Sequence, residues 1–454
     1  MLALLLPLAM AQTISITDFG ARGGGGDDTA AIQKALDQAR DRPGTVVTVP
    51  KGEFEVSNLT LYGNTTLEGS GPDSVIRRAA GSKKHMLSIN PGEEGSADPN
   101  KNQKNITIRS LTLRDLSDES GTDAHQHTLN ANGVTNLRVE SVNFLGFRGD
   151  GIYLGSGNSQ DRNTERHNLD VTISKCKFDG LNRQNRNAIT VIDGVRVAIL
   201  DNFFTRSSDK GPGAIDLEPN KQAFHWIQDI QIDRNTFTDN GHGCIKADIP
   251  ITNSELQKPF TGLSIRKNVI KGSDGPAIQL YQKGGETPDR IPNNIVVDGN
   301  TVDDAETGIT LRGLSGVQIT GNKFEDTRNG VQIGLSAFVC DNISVIGNTF
   351  RNIGGPKRAV TNSVGAGGRN KRDKEGPGAA AVAIRNATRV TITDNTVTTV
   401  RDDQGGAAPF VLLANKGNTS GVKVQNNQVT GVSMMLETQG KHNAGGDRGR
   451  KGEN

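Results

Sequence analysis

The chain has 454 residues, 52 basic against 50 acidic side chains, 56 glycines and an aromatic content of only 4%. That charge balance gives no reason to expect a nucleic-acid or acidic-membrane partner, and no apolar run is long enough to span a bilayer. Cys176, Cys244 and Cys340 are odd in number and lack metal-ligand spacing, so they read as small buried side chains rather than a disulfide framework or a zinc site.

Residues 1–11 form a short apolar run ending in Ala-Met-Ala. This reads as a secretory signal and cleavage site, which predicts a secreted protein, extracellular or periplasmic. Residues 12–80 read as an N-terminal cap with the first coils. They hold the segment Ile14–Ala21, a glycine run, and Asp27, Asp28 or Thr29 as the cap of a helix. Ala30, Ala31, Ile32, Ala35, Leu36 and Ala39 repeat at helical spacing. Strands follow over Thr45–Pro50, the segment GEFEVSNLTL, Thr65–Gly71 and SVIRR. An amphipathic helix at the head of a repeat array predicts a cap over the open end of its core.

Residues 81–439 are built on a recurring phrase. A polar x-Asn-x-Phe/Val step is anchored at Asn202, Asn235, Asn268, Asn300, Asn322 and Asn348, which lie roughly 22 to 33 residues apart, a solenoid period. A Gly/Ala-Ile-x-Leu run follows each step after a turn, as in Gly151–Leu154, Ala214–Leu217, Cys244–Ala247 and Ala277–Leu280. Each repeat is too small to bury its own apolar face, so the repeats must stack into an all-β solenoid. The Asn column predicts a hydrogen-bonded ladder at the turn corners. Ala366–Gly378 is polar and glycine-rich, a loop thrown out of one coil, and Gly440–Asn454 reads as a disordered tail.

Stacking sets residues from different repeats side by side. With the isoleucines pointing inward, one outward column is Tyr153, Thr190, Asp216, Lys246, Gln279, Thr310 and Gln332. The next is Gly155, Ile192, Glu218, Asp248, Tyr281, Arg312 and Gly334. Neighbouring strands lie about 4.8 Å apart, and outward residues two apart on one strand lie about 6.6 Å apart. Asp216 should therefore adjoin Lys246, and Glu218 should adjoin Asp248. Like charges placed opposite one another are destabilising, and a metal, a proton or a substrate is what makes them tolerable. Calcium is one such occupant, although no cofactor is required by the pattern.

The segments GDDTAAIQKAL, GTVVTVPKGEF and TTLEGSGPDSVI, together with the preceding Phe19-Gly20-Ala21, resemble the opening of pectate-lyase-superfamily domains. That group is similar to the family 28 glycosidases. The resemblance implies a right-handed parallel β-helix with an N-terminal capping helix, acting on a polysaccharide as a monomer or homotrimer. It also implies that Asp150, just before Gly151-Ile152, and His242, in Gly241-His242-Gly243, flank the cleft. The family's aspartate pair is replaced here by Gly211-Pro212-Gly213, and its Arg-Ile-Lys signature is absent.

The chemistry that fits is glycoside hydrolysis, which needs two carboxyl groups, one as acid and one as base or nucleophile. Asp216, Glu218 and Asp248 are the candidate catalytic residues. Asp150, Tyr153, His242, Lys246, Gln279, Tyr281 and Arg312 are the candidate substrate-binding residues. His125, His127 and the long link Ser156–Asn168 are placed to overhang the same face. Two other readings stay open: a polysaccharide lyase or uronate epimerase with Lys246 or His242 as base, and a glycan-binding surface protein without catalysis.

Overall fold

The computed structural model describes residues 12–90, 98–156, 166–208, 211–220, 225–250, 260–283, 293–334, 338–354, 378–414 and 418–439. The segment expected to be a signal, most of the Ser156–Asn168 link, nearly all of the Ala366–Gly378 segment expected to be a loop, and residues 440–454 lie outside them.

The expected helix is present as α1, Thr29–Asp41. Asp27 Oδ1 accepts the Thr29 N–H at 2.9 Å and so starts it. Asp28 instead turns its carboxylate onto the N–H groups of Arg22 and Gly23, which ties down the glycine run. Ile32, Ala35, Leu36 and Ala39 are fully buried. Ala30 is exposed and Ala31 only half-buried, so the apolar stripe is narrower than the sequence pattern suggests. The buried face packs on the strands Val46–Val49 and Leu59–Thr60 and closes the first coil.

Among the described residues every strand pairing is parallel apart from one isolated bridge between Arg401 and Ala407. One sheet of 14 strands runs from Thr13–Ser15 to Thr419–Gln425. The other 24 strands form two further ladders, joined where the long strands Val269–Lys283 and Thr301–Arg312 belong to both. The chain is a parallel β-helix with three faces per coil.

The x-Asn step makes the tight corner between two of these faces. The residue before the asparagine has left-handed backbone, as at Asp201 (φ 58°), Lys267 (φ 54°) and Gly299 (φ 63°). Few residue types accept that conformation cheaply, which is why glycine recurs there. Each asparagine Oδ1 then accepts from both the N–H and the Nδ2 of the asparagine one coil earlier. For Asn268 Oδ1 these distances to Asn235 are 2.9 and 3.1 Å. The ladder runs from Asn202 through all the expected positions and on to Asn395 and Asn427. It satisfies buried backbone donors that no β-ladder reaches. Phenylalanines stack inside the core: Phe144, Phe178, Phe204 and Phe237, the last two standing two residues after Asn202 and Asn235, have successive ring centroids 4.7, 5.0 and 4.7 Å apart. Gly151 opens its run because a Cβ there would lie 2.6 Å from Ala188 O and crowd the Phe178 ring. The three cysteines are buried, as expected for small core side chains.

The Gly/Ala-Ile-x-Leu runs form the face that carries the site. Its strands are β1 (Leu129–Asn132), β2 (Ile152–Gly155), β3 (Ile189–Val191), β4 (Ile215–Leu217), β5 (Ile245–Pro250), β6 (Val269–Lys283), β7 (Thr301–Arg312) and β8 (Asn329–Ile333). They stack in the register expected from the sequence: Ile152, Ile189, Ile215, Ile245, Ile278, Ile309 and Val331 are successive partners.

Candidate functional site

That register places Tyr153, Thr190, Asp216, Lys246, Gln279 and Thr310 in one column across β2 to β7. Asp248, Tyr281 and Arg312 align in the next column. Glu218 follows directly after β4, one position beyond its last paired residue. Its N–H still reaches back to Val191 O at 3.1 Å, so the ladder direction continues and Glu218 faces the Asp248 rung.

Depth separates these residues in a way that alternation along a strand cannot predict. Asp216 points away from the core yet has no exposed surface. Asn187 and Arg186, from the turn before β3, close over it. Asn187 Nδ2 donates to Asp216 Oδ2 at 3.4 Å, while Asp216 Oδ1 is buried without a donor. Burial raises the Asp216 carboxyl well above the ordinary carboxylate range. The negative charge of Glu218 and the hydrogen bond between the two carboxyls add to the rise, and Lys246 and Arg186 pull against it. Asp216 therefore keeps its proton to higher pH than an ordinary carboxyl. Expected among the catalytic groups of the groove, it presents no surface to the groove and lies behind Glu218.

Asp150 needs the same correction. It was expected to touch substrate, but its carboxylate is fully buried. Asp150 Oδ2 lies 2.7 Å from Arg186 Nη1, and Oδ1 accepts the Asn187 N–H at 3.1 Å. Burial pushes its pKa up to about 6 against the pull of Arg186. Asp150 is therefore a positioning residue for Arg186, whose Nη2 lies 3.3 Å from Glu218 Oε2. Burial alone would lower the Arg186 pKa; Asp150, Glu218 and Asp216 raise it.

The groove itself is lined by half-exposed groups. The Glu218 side chain is 39% exposed, against 19% for Asp248 and 15% for Lys246. Lys246 adjoins Asp216 in register, but its Nζ sits 3.9 Å from Asp248 Oδ2. Each groove carboxylate therefore has its own cation, Arg186 for Glu218 and Lys246 for Asp248. This is how the like-charged neighbours are tolerated. Arg312 lies over the Tyr281 ring at 4.3 Å, which fixes a planar fork beside an aromatic face. Gln279 is half-buried between Lys246 and Thr310.

Towards the N-terminal coils, His85, His127 and Tyr153 stack with centroids 5.0 and 4.2 Å apart. His127 Nδ1 accepts the Asp150 N–H at 3.1 Å, so its proton is on Nε2. Burial, with His85 and Arg186 adding, pushes its pKa down to about 2. Burial likewise pushes the Tyr153 phenol up to about 12. His242 is exposed in the turn three residues before Ile245, at the other end of β5 from Asp248. Its backbone N–H donates to Ser208 O at 3.2 Å, and it stands apart from the Glu218 and Asp248 rungs. Among the described residues no group of three or more His, Cys, Asp or Glu side chains is arranged to hold a metal ion.

Residues 13–211 match the family model described as rhamnogalacturonase A/epimerase, pectate lyase-like, and residues 225–434 match the right-handed β-helix region. The chain is a right-handed parallel β-helix protein whose first part is similar to pectate-lyase-like domains. Among curated proteins, the β-helix protein is 30% identical over 157 residues to alginate lyase 7 of Azotobacter vinelandii, which is 26% of this chain and 18% of that one. Matches to mannuronan C5-epimerases of the same organism likewise cover a fifth or less of the relative's length. The catalytic unit of a GH87 alpha-1,3-glucanase from Streptomyces thermodiastaticus superimposes with a TM-score of 0.60 at 17% identity, over 94% of this chain and 70% of that one. A mannuronan C-5 epimerase A-module of Azotobacter vinelandii gives 0.54 at 16% identity, over 94% and 98%. At such identities the likeness of the solved structures speaks for the fold of the β-helix protein.

Proposed function

We propose that the protein is a secreted glycoside hydrolase that cleaves a polysaccharide, with Glu218 and Asp248 meeting the sugar and Asp216 holding a proton behind Glu218. The observation that carries this reading is the arrangement of three carboxyls on adjoining rungs, one buried and two facing the groove. Hydrolysis of a glycosidic bond needs one carboxyl to protonate the leaving oxygen and another to serve as base or nucleophile. Asp216 keeps its proton to higher pH behind the pair, and Arg186 Nη2 lies 3.3 Å from Glu218 Oε2. Glu218 and Asp248 are then the two carboxyls of the reaction, one as acid and the other as base or nucleophile. Tyr281 with Arg312 above it, Gln279 and Tyr153 bind the chain on either side.

A second reading is favoured by the cations. Arg186, Lys246 and Arg312 all border the groove, which suits a uronate carboxylate, and the matched curated relatives include an alginate lyase and mannuronan epimerases. In that reading Lys246 removes the proton next to the carboxylate.

Polygalacturonate, alginate and α-1,3-glucan, each assayed for reducing ends and for ultraviolet-absorbing unsaturated product, separate the two. Hydrolysis gives reducing ends alone and is lost in Glu218→Gln. Unsaturated product from the wild-type protein refutes hydrolysis in favour of elimination.

A further inference from the structure

The single tryptophan of the chain, Trp226, is 40% exposed in a fold that buries most of its other aromatic residues. Its ring lies flat on the His167 imidazole, with centroids 4.1 Å apart and planes within 11°. One buried carboxylate fixes the His167 ring and the backbone of Trp226. Asp193 Oδ2 lies 2.8 Å from His167 Nδ1 and accepts the Trp226 backbone N–H at 2.9 Å, and Asp193 Oδ1 accepts the Asn168 backbone N–H at 3.2 Å. Asp193 has no exposed surface, and the Trp226 carbonyl accepts the Gly194 N–H at 2.7 Å. The next residue back is pinned as well: His225 Nε2 is 2.7 Å from Ser156 Oγ, and His225 Nδ1 accepts the Asn220 N–H at 3.1 Å.

The residues involved come from three successive turns. Ser156 follows β2, Asp193 follows β3, and Asn220, His225 and Trp226 follow β4, the strand that ends beside Glu218. All three turns leave the same end of the site-bearing face. An aromatic ring that is backed by a second ring, carried on a backbone pinned by a buried anion and left open to water has no packing role that requires its exposure. Holding it rigid removes the ordering cost of a contact made there. The flat, weakly polar face of an indole matches the C–H face of a pyranose ring, with its N–H and neighbouring polar groups left to reach hydroxyls.

We propose that Trp226, stacked on His167 and anchored by Asp193, is a saccharide-binding platform at the shoulder of the groove, which takes a sugar ring of the polysaccharide some distance from the bond that is cleaved. This rests on the reading of the groove as a polysaccharide site, but not on which reaction occurs there. The arrangement is not a Ser-His nucleophile, because His225 Nδ1 is occupied as an acceptor and its proton therefore faces Ser156.

Because Trp226 is the only tryptophan, the intrinsic fluorescence of the full chain reports this position alone. Oligogalacturonate, oligomannuronate and α-1,3-gluco-oligosaccharides are titrated into the Glu218→Gln variant, so that binding is read without turnover. A saturable change in emission with at least one of them is expected. In calorimetry, binding of the same oligosaccharide falls about tenfold in Trp226→Ala and is largely kept in Trp226→Phe, which retains a stacking face. No emission change with any of the three, or equal affinity in Trp226→Ala, overturns the platform. Glycan turnover by the wild-type protein is scored separately, so a failure of the hydrolase reading leaves the fluorescence result to stand alone.

Discussion

Asp150 sits in the wall of the groove with its carboxyl fully buried and its pKa pushed from 3.8 up to about 6. A carboxyl whose folded value is raised stabilises the fold only while it is protonated. Its contribution is complete below the unfolded value, near 4, and is lost as the pH rises to about 6. The displacement is about two pH units, and each is worth 1.36 kcal/mol, so the loss is about 3 kcal/mol. Asp150→Asn keeps the shape and an acceptor for Arg186 but cannot ionise. The variant carries a constant offset from the altered pairing with Arg186 and lacks the pH-dependent loss. Urea unfolding of both proteins at pH 4 and pH 7 reads this directly. The stability of the variant relative to wild type should rise by about 3 kcal/mol over that interval. If the two proteins change in parallel, within about 1 kcal/mol, Asp150 is held ionised by Arg186 across the range and the burial argument is wrong.

Other consequences follow from the ladder and the groove. Asn268→Ala strips the acceptor from the buried Asn235 N–H and the donor from Ile232 O, at about 1–3 kcal/mol for each orphaned group. Denaturation should show a loss of roughly 4 kcal/mol, while Asn427→Ala, at the half-exposed end of the ladder where water can substitute, should cost about 1 kcal/mol. Lys246→Met removes a charge that pulls Asp216 down, so the alkaline limb of the pH profile of kcat/KM should move to higher pH; an unmoved limb would show that the activity does not depend on Asp216 keeping its proton.

The repeat phrase carried the architecture because each of its letters answers a local demand of the coil. The residue before each asparagine bends the chain through left-handed backbone, the asparagine closes the buried corner, and the phenylalanine two on fills the core. The isoleucine run then fixes which residues share a column, so the neighbours Asp216 with Lys246 and Asp248 with Tyr281 were legible without coordinates. Depth was not. Arg186 and Asn187 lie in the irregular turn Asn182–Asn187, which has no periodic signal, and these two residues roof Asp216 and neutralise Asp150 and Glu218. Asp193 and Trp226 likewise occupy turns of unequal length, where position in the repeat says nothing about contact. The pairing of His127 with Tyr153 was half legible, since Tyr153 belongs to a column and His127 to the turn before β1.

In the proposed hydrolase Glu218 and Asp248 meet the sugar while Asp216 works from behind. Initial rates of Asp216→Asn, Glu218→Gln and Asp248→Asn on one cleaved polysaccharide test it most directly. Glu218→Gln and Asp248→Asn should each lose about 10²- to 10⁴-fold, whereas Asp216→Asn, whose amide still donates to Glu218, should stay within about tenfold of wild type. An Asp216→Asn enzyme as inactive as the other two, or a Glu218→Gln enzyme that turns over normally, would contradict it.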